Sequence, residues 1–127
     1  MKKFLTFLIL WLPVGLWCGV IFYFSSLPHL ATPWGTWDII LRKIAHIVEY
    51  GILAFLTWRA IFYSVKIDLA KTYAWSGAFS LLYAISDEIH QSFVPMRNPS
   101  VIDVLIDGLG IGLVLFSLMV RKKDVDR

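Results

Sequence analysis

The chain is poor in charge and almost devoid of cysteine. Only 17% of its 127 residues are charged, against about a quarter in an ordinary soluble domain. There is one cysteine, Cys18, which excludes an internal disulfide and any site built from several thiolates. It lies within an apolar run, so a buried, inert thiol is expected. No HExxH motif, internal repeat or low-complexity segment is present. In place of charge the chain carries 58% hydrophobic residues and a mean hydropathy of +0.70. A compact soluble fold of this length could not hide so much Leu, Ile, Phe and Trp, so the composition points to a membrane protein forming one domain over residues 1–127.

Apolar length then marks four spans, roughly residues 4–24, 44–63, 72–91 and 101–120. A segment in lipid must satisfy its own backbone, so all four are expected to be α-helices and the fold class all-α. The first run, with 21 residues from Phe4 to Phe24, is long for a signal-peptide core and has no small-x-small cleavage site after it. Pro13 is expected to kink that span. Pro28 and Pro33 mark the first loop, and Pro95 and Pro99 the third. Ser100 and Asp103 have capping-box spacing for the start of the fourth helix. Gly108 and Gly112 have small-xxx-small spacing, which lets a neighbouring helix approach.

The basic residues are unevenly shared between the two sides. With a cytoplasmic N-terminus, nine of the twelve (Lys2, Lys3, Arg59, Lys66, Lys71, Arg121, Lys122, Lys123 and Arg127) are inside. Arg42, Lys43 and Arg97 remain outside. That is the positive-inside bias, and it predicts that both termini are cytoplasmic. Most of the acids fall on the other side: Asp38, Glu49, Asp87, Glu88, Asp103 and Asp107 are outer. The tryptophans and tyrosines are expected mostly as interface anchors, Trp34 and Trp37 among them, and His29 as a solvated loop residue.

The richest stretch is 83–107, YAISDEIHQSFVPMRNPSVIDVLID. With 1.5 Å of rise per residue, Glu49, Asp87 and Asp107 lie on three different helices at similar depths, roughly 6–9 Å beneath the outer boundary. Lys43, His46 and Glu49 (or Tyr50) share one stripe by i, i+3 spacing, and Asp87 with Gln91 and Asp103 with Asp107 are i, i+4 pairs. Ionisable groups in a span turn inward, so these edges are expected to meet. Five acids in one site require relief by pairing with Lys43 or Arg97, by sharing protons, or by binding a divalent cation. The candidate site is therefore Lys43, His46, Glu49, Asp87, Glu88, Gln91, Arg97, Asp103 and Asp107, with roles unassigned. His90 is expected to be a loop-facing bystander, and Asp103 as readily a cap as a site residue.

Five motifs in order carry a family resemblance. They are FSS at 24–26, K-x-x-H-x-x-E-Y-G-x-L at 43–53, Y-A-x-S-D-E-x-H-Q at 83–91, F-V-P-x-R at 93–97, and S-V-x-D-V-x-x-D-x-x-G at 100–110. The chain resembles the VanZ-like family, the teicoplanin-resistance type of small membrane protein. The resemblance implies a multi-pass protein of the cell membrane associated with lower sensitivity to lipoglycopeptide antibiotics, and no settled reaction.

Several functions stay open at this stage. The first is a resistance-type factor whose outer-leaflet site acts on or shields a cell-envelope component. The second is a membrane enzyme modifying a lipid or lipid-linked head group, with acids as base and Arg97 on phosphate. A structural subunit glued by its polar edges is a third. An ion conductor fits less well, because the inner halves of spans one, three and four lack charge. The expected partner is a membrane lipid or lipid-linked envelope component, with no nucleic acid; the oligomeric state is left open.

Overall fold

The computed structural model describes residues 1–28 and 33–125. His29 and Arg127, which entered the reading above, lie outside the described residues. Among the described residues there are four helices and no strand: α1 (Lys2–Ser26), α2 (Thr36–Ser64), α3 (Leu69–Gln91) and α4 (Val101–Val125).

Each helix outruns its apolar stretch, because helical geometry does not stop where hydrophobicity does. The difference is largest in α2, which begins at Thr36 rather than near residue 44. Its first turns hold Trp37, Asp38, Arg42 and Lys43, and Arg42 donates twice to Asp38 one turn back, at 3.1 and 2.8 Å. α1 runs unbroken through Pro13 and ends at Ser26, with Leu27 extended ahead of Pro28. α3 starts at an N-cap, Asp68, whose carboxylate accepts the Lys71 N–H at 2.8 Å. That bond holds the Asp68 carboxyl below its usual range. A turn containing Met96 at φ 64° leads from α3 towards α4.

Pairwise ties fix the packing. Arg59 donates to the carbonyl of Ile9, Trp11 to Ser64 and Trp17 to the carbonyl of Glu49, so α1 and α2 run antiparallel. Tyr83 donates to the carbonyl of Cys18, and His90 meets Ser26, so α1 and α3 run parallel. Lys43 pairs with Asp103 and His46 with Asp107, so α2 and α4 run parallel as well. The result is an up-down-up-down bundle in which α2 touches all three other helices and α1 does not touch α4. Two tryptophans expected at the interface, Trp11 and Trp17, thus serve as ties, while Trp34 and Trp37 are exposed. Cys18 is half-buried rather than buried.

The closest approach is between α2 and α4. A Cβ on Gly110 would collide with the backbone carbonyl of Ile47, and one on Gly51 would crowd Val114 and the Gly110 carbonyl. The expected glycines do not make this contact. Gly108 faces Leu81 loosely and Gly112 has nothing near it, because residues two positions either side of Gly110 turn away from α2.

α1 and α4 are long and apolar enough to cross a membrane. Only 17% and 22% of their most apolar windows are buried, so neither is the core helix of a soluble fold. The outer faces carry large apolar side chains such as Leu12, Leu16, Leu82, Leu105 and Phe116, a covering that suits lipid rather than water.

Candidate functional site

The site is built on the paired helices α2 and α4. The stripe Lys43, His46 on α2 meets the stripe Asp103, Asp107 on α4 as two rungs. Lys43 Nζ reaches Asp103 Oδ1 at 3.3 Å and His46 Nδ1 lies 2.9 Å from Asp107 Oδ1. Asp107 is fully buried, and a buried carboxylate is tolerable only when paired. The Gly110–Ile47 contact lies one turn further along and holds the two helices close enough for the rungs to form.

α3 supplies the next wall. Asp87 and Gln91 are both buried, with the Gln91 amide donating to Asp87 at 3.3 Å. Glu88 is buried too, but it points elsewhere: its Oε2 accepts the backbone N–H of Ser100, the N-cap of α4, at 3.1 Å. The Ser100 hydroxyl accepts from Ile102 N–H at 3.1 Å. The reciprocal half of the expected capping box is therefore made by Glu88 from α3, and Asp103 is free to pair with Lys43.

Arg97 departs from expectation. It forms no ion pair with the acids among the described residues. Its Nε and Nη2 donate to the carbonyls of Leu27 and Phe24, at 2.8 and 2.9 Å. Both carbonyls lie at the end of α1, at the negative pole of its dipole, where a guanidinium fork is well placed, and Phe24 also accepts the Leu27 N–H at 3.3 Å. His90 is no bystander either. Its Nε2 lies 2.9 Å from Ser26 Oγ and its ring stacks on Phe22 with centroids 4.5 Å apart, joining α3 to α1.

Two adjoining hollows open at this end of the bundle. One of about 250 Å³ is lined by Lys43, Asp103, Met96 and Asn98; the other, of about 430 Å³, by Glu49, Asp87, Ser25 and apolar residues of α1. Arg42, His46, Gln91 and Arg97 border both, so they form one cleft. Of the nine expected site residues, only Glu88 and Asp107 are absent from its lining; Asp107 sits behind His46 and Glu88 caps α4.

Three polar lining residues were not among those expected. Arg42 is one turn before His46 on the same face, a signal present in the helical spacing. Ser25 lies in the FSS motif. Asn98 had no signal, since its place depends on the loop turn at Met96.

The donor set does not assemble a metal centre: among the described residues no group of three or more His, Cys, Asp or Glu is placed to hold an ion. What the cleft offers is a rim of cations (Arg42, Lys43, Arg97), a histidine oriented by a buried carboxylate, and two inner acids, Glu49 and Asp87. Such a set can hold an anionic group at the rim and exchange a proton below it.

Comparison with curated proteins and with solved structures gave no significant match. The family model described as VanZ/LLP1 matches residues 7–121, nearly the whole chain. The chain therefore belongs to the VanZ/LLP1 family.

Proposed function

We propose that the protein is a multi-pass component of the cell membrane whose cleft binds the anionic head group of a lipid or lipid-linked envelope component at the outer leaflet. In this reading all four helices span and both termini are cytoplasmic. The observation that carries it is the cleft itself, where three cations stand at the rim, Asp103, Glu49 and Asp87 lie among and below them, and one wall is the apolar flank of α1. An open apolar flank beside a charged rim suits a ligand with a phosphate or carboxylate at one end and hydrocarbon at the other. The uneven charge supports the orientation, since the cleft lies at the end of the bundle that has few basic residues. Occupancy of such a ligand would act on or shield the envelope component and lower sensitivity to teicoplanin, as membership of the family suggests.

The test is drug sensitivity in a host expressing the protein. Wild type is expected to raise the inhibitory concentration of teicoplanin several-fold while leaving vancomycin unchanged. Asp87→Asn, at equal abundance in the membrane, is expected to return teicoplanin sensitivity to that of the empty host. An Asp87→Asn variant that protects as well as wild type removes the cleft from the function.

A second reading, a structural membrane subunit, is favoured by the number of polar groups spent on ties between elements: Lys43 with Asp103, His46 with Asp107, Glu88 with Ser100, and Arg97 with α1. Under that reading Asp87→Asn changes thermal stability and nothing else.

A further inference from the structure

A serine inside a helix ordinarily gives its hydroxyl proton to a carbonyl of the preceding turn. Ser26, Ser64, Ser76, Ser86, Ser92 and Ser117 all do so here. Ser25 does not. Ser25 is 4% exposed, its Oγ has no hydrogen-bond partner among the described residues, and it borders the cleft alongside His46. A buried hydroxyl left unpaired is costly, and this one is set where a ligand in the cleft could engage it.

His46 faces the same space in a defined state. Asp107 Oδ1 lies 2.9 Å from Nδ1, and an ionised Asp107 holds the proton of the neutral ring on Nδ1 and leaves Nε2 as an acceptor. Asp107 is wholly buried, so this contact is shielded from water. Arg42 and Lys43 precede His46 on α2 by four and three residues, which sets the ring about 5 Å further into the bundle than the cationic rim.

A phosphate-bearing glycerolipid has its acyl esters on the hydrocarbon side of the phosphate. A phosphate on the rim would set an ester carbonyl near the depth of His46, and Ser25, Ile21 and Phe24 line the same hollow.

We propose that Ser25, His46 and Asp107 form an acyl-transfer centre for the ester of such a lipid, a proposal that rests on the head-group reading above. Ser25 Oγ attacks the ester carbonyl carbon as its proton passes to His46 Nε2. The bond to the glycerol oxygen then breaks, and that oxygen takes the proton back from Nε2. The products are an acyl-Ser25 ester and a lyso-lipid. Water, activated by His46 in the same way, attacks the acyl ester, releasing a fatty acid and restoring Ser25. Asp107 keeps the ring in place and stabilises the imidazolium formed in each half. Ser25 and His46 are not hydrogen-bonded to one another in the free protein, a looseness common in catalytic pairs before substrate binds.

The experiment treats full-length protein in detergent micelles with a fluorophosphonate probe, maps the adduct by peptide mass spectrometry, and measures retained phosphatidylglycerol by native mass spectrometry. Folding of every variant is checked by thermal unfolding. The expected result is an adduct on Ser25, absent in Ser25→Ala, formed on the order of 100-fold more slowly in His46→Gln, and unchanged in Ser26→Ala. Folded wild type that retains phosphatidylglycerol but gives no Ser25 adduct overturns the acyl-transfer centre and leaves the head-group site standing. Folded wild type with neither overturns both. An adduct that survives Ser25→Ala also overturns the centre.

Discussion

Among single residues, partnership separated those that spacing alone could not. Asp107 and Glu88 look alike in the sequence, both being acids near the end of an apolar run. One orients His46 and the other caps α4, and the difference lies in which neighbouring element arrives beside each. Arg97 is the sharpest case. Its loop position made it the natural counter-ion for the acids, yet the carbonyls of Phe24 and Leu27 at the end of α1 claim two of its donors. Arg97→Ala is expected to fray the end of α1 and cost about 1–3 kcal/mol in thermal unfolding in micelles. Arg97→Lys is expected to recover less than half of that, since a point charge cannot span two carbonyls as a planar fork does. Full recovery by lysine would show that charge alone, not the fork, holds α1.

Between elements, the α2–α4 seam carries the site. The repeat of polar groups along each helix was legible in the sequence, because i, i+3 on one helix and i, i+4 on the other describe stripes whatever surrounds them. The glycine that lets the stripes meet was not. Gly108, Gly110 and Gly112 all lie in the same apolar run, and only the rotation of α4 about its axis decides which one faces Ile47. Gly110→Val is therefore expected to cost at least about 2 kcal/mol and to separate the His46–Asp107 pair. Gly112→Val, with open space around it, is expected to change little. Comparable thermal unfolding of the two variants would show that the seam is placed elsewhere. Helix existence was equally legible, and helix length less so. Apolar content bounds the part of a helix that fits lipid, whereas α2 continues for two turns through Trp37 to Lys43, and that extension supplies the cationic rim.

For the whole molecule, one asymmetry organises the account: acids and the cleft at one end, most basic residues at the other. Alternation of four helices places the Met96–Asn98 turn and the Val65–Ile67 turn at opposite ends of the bundle. The head-group reading needs the first of these outside the cell and the second inside. Asn98 and Lys66 are both exposed, and the native Cys18 can be replaced to give a cysteine-free background. Single cysteines placed at Asn98 and at Lys66 would be challenged in intact cells with a membrane-impermeant maleimide, then again after permeabilisation. The account predicts that Asn98→Cys labels in intact cells and Lys66→Cys only once the membrane is opened. Labelling of Lys66→Cys in intact cells with Asn98→Cys protected would put the cleft in the cytosol and contradict it.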